Sequence, residues 1–233
     1  MTIDRDRLRS EVERVHRRYA LEVVEALGFC PWAKAAREAG RVRLLVSFDT
    51  TPDLPSALLF MDEIEADAGA EVSLIAYPLL PLDRLPFAHF VAELRAADAA
   101  RKPVGETELA MADFHPNVAA DTSDPERLVP FVRSAPDPTI QLVRIAALNG
   151  VRLSETRGTS FVDPAELSFE QLLQAQSAPP LSARVARANL RTVEALGLPS
   201  VLAVLADIAR DRHTSYAALG VPPAVWSPHG AHQ

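Results

Sequence analysis

The sequence predicts an α/β fold: a small, mainly parallel sheet of three to five strands, with helices on both faces and a helical C-terminal region. Two observations predict it. Apolar runs of strand length at residues 42–48, 71–77 and 109–114 alternate with stretches of helical spacing, the order that builds parallel sheets through right-handed crossovers. Beyond residue 123 the chain reads as mostly helical, and 233 residues suffice for one good core. Residues 1–163 are therefore assigned to an α/β core with N-terminal helices, and residues 164–233 to a helical extension packed on it as part of one structural domain.

Taken in order, residues 4–27 form one amphipathic helix, because Leu8, Val12, Val15, Tyr19 and Val23 recur at three- and four-residue steps. Gly28 ends it, and Pro31 starts a short helix that closes at Gly40. The run at 42–48 is apolar enough for burial on both faces. Thr51-Pro52 is a helix start, followed by an inner face of Leu54, Leu58, Met61 and Ile64. A strand over 71–77 stops at Pro78, a helix spans 86–100, and the third strand ends at His115-Pro116. Asp124-Pro125, Asp137-Pro138 and Asp163-Pro164 each read as a capped helix start, the second opening a helix that runs to Asn149-Gly150. Residues 151–162 suit one or two edge strands around Gly158. Helices follow at 168–176, 182–196 and 200–210, with a Pro179-Pro180 linker and a loosely held tail from Pro222.

Composition excludes several classes. A net charge of −7 with no basic run argues against nucleic acid as partner. No apolar run approaches the ~18 residues of a membrane span, so no membrane partner is expected. The N-terminus has no signal core, and the one cysteine fits a reducing cytosol. No GxGxxG, P-loop, G-x-S-x-G or His-Glu-x-x-His is present, so no cofactor is implied.

Chemistry centres on Gly28-Phe29-Cys30-Pro31-Trp32-Ala33. A thiol at a helix start faces unpaired backbone N–H groups and the positive end of the dipole, both of which favour thiolate. His115 sits at the carboxyl end of a strand, where ligands bind to open sheets. The short helix and the first strand run in opposite directions, which brings Cys30 toward that edge, offset by roughly 10 Å. Arg133, Ser134, Asp137 and Arg144 suit an anion, with the Asp137-Pro138 helix start as its cradle. Asn117 and Asp121 lie in the loop after His115, placed to orient it. His16 and His89 are read as surface residues in mid-helix.

Three motifs in order, Gly-Phe-Cys-Pro-Trp-Ala-Lys at 28–34, Asp-Phe-His-Pro at 113–116 and Pro-Asp-Pro-Thr-Ile-Gln-Leu-Val-Arg at 136–144, resemble the bacterial family called domain of unknown function 1415. Gly158-Thr159, Phe161-Val162 and Arg187-Ala188-Asn189-Leu190 are similar to its C-terminal part. The resemblance implies a single full-length bacterial domain without an established reaction. It also implies Arg-Ser-Pro before the aspartate and often a histidine at position 141; here Ala135 is interposed and Gln141 cannot titrate. Cys30-Pro31-Trp32 is similar to glutaredoxin-type helix starts, although a helix precedes it where that fold needs a strand.

These readings converge on a thiol-dependent cytosolic enzyme of a small anionic metabolite, with Cys30 as nucleophile or redox thiol and His115 as acid/base. Arg133, Ser134, Asp137, Arg144, Asn117 and Asp121 would bind the anion. Two alternatives stand beside it. One is a non-catalytic ligand-binding or scaffold protein in which Cys30 is buried; the other is a transition-metal site at Cys30, His115 and Asp121.

Overall fold

In the computed structural model the described residues are 3–103, 108–147 and 180–223. Expectations for 148–179, including the strands near Gly158, the helix at 168–176 and the 163/164 boundary, lie outside them, as does the tail beyond residue 223. Helix α1 (Arg5–Tyr19) starts where the Asp4 carboxylate accepts a 3.1 Å hydrogen bond from the Arg7 N–H. Leu8, Val12, Val15 and Tyr19 are buried as their spacing predicts, and the helix continues as a π-helical stretch over Ala20–Glu25. His16 departs from expectation: it is buried on the same stripe. Gly28 ends the helix at φ +66°, where a Cβ would meet open space, so the left-handed backbone rather than crowding calls for glycine. Helix α2 (Ala33–Glu38) follows.

Strands β1 (Val42–Val46), β2 (Val72–Ala76) and β3 (Leu109–Phe114) form where the apolar runs predict them. The sheet is not mainly parallel, however. Its order is β1-β2-β4-β3, and β4 (Thr139–Arg144) lies antiparallel between β2 and β3. This segment corrects the helix expected from Asp137-Pro138. Ile140 and Leu142 are fully buried while Gln141 and Val143 are only half-buried, a period of two over a β-branched stretch. An Asp-Pro pair also suits the turn before a strand, and here tertiary pairing decided. With β4 inserted, β1, β2 and β3 still point the same way, but only β1 and β2 pair in parallel.

Helices cover both faces. On one, α3 (Leu54–Ala66) and α4 (Arg84–Ala100) bury Met61, Ile64, Phe87, Val91 and Leu94 against Ile75, Ile140 and Leu142. The α3 cap is Asp53, whose carboxylate accepts from the Ser56 N–H at 3.3 Å, rather than Thr51. On the other face, α1, α5 (Pro125–Val132), α6 (Leu181–Leu196) and α7 (Leu198–Ala218) surround Ala76, Val118, Leu128 and Phe131. The last helix is longer than the 200–210 predicted. Among the described residues no single helix is long and apolar enough to cross a membrane.

Candidate functional site

Register aligns Val46, Ala76, Thr139 and Phe114 in one row across the sheet. The residues just beyond that row, Tyr77-Pro78, Asp137-Pro138 and His115, therefore crowd one edge. It is the edge at which β1, β2 and β3 end.

Beside it opens a cleft of about 210 Å³ lined by Arg84, Ala88, Asp113, His115, Val118, Pro130 and Arg133. Arg84 opens α4, capped by Asp83, whose carboxylate accepts from the Arg84 N–H at 2.8 Å. Asp113 is the penultimate residue of β3, and Arg133 caps the C-terminus of α5. The Arg133 guanidinium lies 5.8 Å from the centre of the Phe114 ring. Burial lowers its pKa, opposed by the nearby Asp113 carboxylate and Tyr19 phenol. Among the described residues the side chains of Arg133, Arg84 and Asp113 make no hydrogen bond or ion pair, not even with one another.

His115, only 1% exposed, forms part of the wall. Its Nδ1 accepts from the Asn117 N–H at 3.1 Å, so Nε2 carries the proton that it donates to the Leu82 carbonyl at 3.0 Å. Burial lowers its pKa despite that carbonyl and the neighbouring Asp83 carboxylate, which keeps the ring neutral. Its backbone N–H donates to the Arg133 carbonyl at 3.1 Å, tying the end of β3 to the turn that carries the arginine. Asn117 braces the opposite wall, donating from Nδ2 to Asp83 at 3.2 Å.

Cys30 reaches the same side of the molecule. Its sulfur accepts from the backbone N–H groups of Trp32 and Ala33, but Cys30 lies in the bend before the helix rather than at its start, because α2 begins only at Ala33 with Trp32 as its cap; burial outweighs both contacts and raises the thiol's pKa. It interacts electrostatically with the buried Tyr19 phenol, which in turn senses Arg133 and donates to the Val132 carbonyl at 3.2 Å. Among the described residues Cys30 makes no hydrogen bond with His115, and it does not line the cleft.

The other expected residues separate. Ser134 is buried and donates to the Phe131 carbonyl at 2.7 Å. Asp121 is held by the Ser123 hydroxyl at 2.5 Å and by Arg127 at 3.4 Å, in an exposed turn. Arg144 lies at the far edge of β4, roughly 16 Å of strand from Thr139. There its guanidinium donates to the carbonyls of Ile64, Glu65, Asp67 and Ala70, four groups at or just past the end of α3, at 2.9–3.1 Å. It cannot share a ligand with Arg133. No group of three His, Cys, Asp or Glu side chains suited to a metal occurs among the described residues.

Asp137, with 0% exposure, anchors a second polar centre. One carboxylate oxygen accepts two bonds from Arg212, at 2.8 and 3.0 Å; the other faces His16 Nε2 at 3.1 Å and the Tyr216 hydroxyl at 2.9 Å. Burial alone would raise this carboxyl, but Arg212 and His16 more than offset it and hold it at about 2. Tyr216 is pushed well above the usual phenol value, by burial first and by Asp137 second.

Reading the sequence by motif missed Arg84, His16, Arg212 and Tyr216. His16 had a signal: it falls one turn after Val12 on the buried stripe.

The sequence matches, over residues 11–155, the family described as Protein of unknown function (DUF1415). The chain belongs to that family. No match was found among curated proteins or among solved structures. The matched DUF1415 residues include Cys30, β3, the whole cleft and β4, whereas the Arg212 and Tyr216 that hold Asp137 lie beyond them.

Proposed function

We propose that this DUF1415 protein binds a small anion in the cleft between α4 and α5. The observation that carries the reading is the Arg133 guanidinium, half-buried and without hydrogen bond or ion pair among the described residues, with an equally unpartnered Arg84 in the same lining. A guanidinium partly withdrawn from water, with a ring face and a nearby carboxylate beside it but no hydrogen bond or ion pair, leaves its N–H donors unmet among the described residues. A carboxylate or phosphate entering the cleft relieves that through fork-matched, charge-assisted bonds. His115 serves as a neutral, fixed wall. Calorimetric titration of the full chain with acetate, succinate and inorganic phosphate tests this. Arg133→Met, folded by circular dichroism, is expected to weaken binding at least about 30-fold. Equal affinity in the variant, or no binding of any carboxylate or phosphate compound to the parent, removes the reading.

A second reading keeps the thiol. Two N–H groups on the Cys30 sulfur, and the phenol of Tyr19 between Cys30 and Arg133, favour a thiol that responds to charge in the cleft. Because burial raises its pKa, alkylation is expected to have a midpoint above the free-thiol value of about 8.5 and to be indifferent to His115→Gln. A midpoint below that value, moved by the substitution, would instead support a Cys30–His115 catalytic pair.

A further inference from the structure

Resting on the anion-cleft reading, we infer that the ligand is an acidic amino acid, an amino dicarboxylate that meets the cleft charge for charge. The observation is Asp113. It lines the same cleft as Arg84 and Arg133, is half-buried, and has no hydrogen bond or ion pair among the described residues. It senses Arg133 electrostatically without pairing with it, so the two opposite charges face one space and leave it open between them.

A simple anion does not satisfy this lining. Succinate would engage the two guanidinium groups but press its own charge against an Asp113 carboxylate that it cannot hydrogen-bond, and inorganic phosphate offers that carboxylate only the one or two hydroxyls it keeps near neutral pH. Repulsion and an unmet acceptor then oppose binding. A ligand that also carries an ammonium group turns the same carboxylate into a partner. Two guanidinium groups and one carboxylate thus call for two carboxylates and one ammonium. A four-carbon amino dicarboxylate carries that set on a short skeleton, and the cleft that would receive it measures about 210 Å³. Ala88, Val118 and Pro130 supply apolar walls for its methylene.

The test is paired calorimetry on the full chain with L-aspartate and succinate, which share a carbon skeleton and differ by the amino group. The parent protein is expected to prefer aspartate by about tenfold or more, because a site built around a donor rejects the analogue lacking it. Asp113→Asn is expected to erase the preference by tightening succinate, and Arg133→Met to weaken both ligands. Succinate binding the parent as tightly as aspartate, or a preference that survives Asp113→Asn, overturns the inference while leaving the anion cleft standing. If neither ligand nor inorganic phosphate binds, the anion-cleft reading fails and this inference with it.

Discussion

At the scale of single residues, Asp137 shows how a buried charge is kept. Its carboxyl sits at about 2 in the folded chain against an ordinary 3.8. The unfolded chain therefore binds the proton first as pH falls, and the stability Asp137 contributes is complete above about pH 4 and lost as pH drops toward 2. Denaturant midpoints of the parent are expected to fall across that window, and those of Asp137→Asn to follow a flatter course. Asp137→Ala removes the carboxylate from Arg212, His16 and Tyr216 together, and is expected to destabilise the chain by about 3 kcal/mol or more at pH 7. A variant as stable as the parent, with an unchanged acid profile, would show that the cluster contributes nothing net.

At the scale of elements, the instructive case is β4. The turn before it places Asp137 at the edge where β1, β2 and β3 end, and its last residue, Arg144, is fastened to the end of α3. Helix C-termini leave carbonyls without helical partners and concentrate negative charge, so a guanidinium that collects three of them, and the Ala70 carbonyl just beyond, locks helix to sheet. Arg144→Met is expected to cost about 2 kcal/mol of unfolding free energy while leaving anion affinity unchanged, read by chemical denaturation and calorimetry on the same sample. A loss of anion affinity at constant stability would contradict the placement of Arg144 outside the site.

At the scale of the whole molecule, the C-terminal helices are part of the core. Val201, Leu205, Ile208 and Tyr216 of α7 join the cluster that α1 supplies with Leu8, Val12 and Val15. Outside that seam Arg14 and Arg18 pair with Asp207 and Asp211 at 2.6–2.9 Å, contacts that are half-exposed and worth little each. The buried Arg212–Asp137 contact and the apolar seam do the joining. Through Asp137 the same seam reaches the segment between α5 and β4.

Much of this was legible along the chain because it is local. Period-four spacing in α1 and the apolar runs of β1 to β3 depend on neighbours a few residues away. What the sequence could not determine depends on partners distant in the chain. Whether Thr139–Arg144 became helix or strand was decided by the gap between β2 and β3, where backbone groups needed an antiparallel partner. Whether Cys30 gained or lost acidity was decided by burial set against two N–H bonds. His16 and Arg212 met Asp137 across 121 and 75 residues of chain. Periodicity and capping are properties of the chain; desolvation and charge pairing belong to the space into which the chain folds, and tertiary structure alone supplies that space.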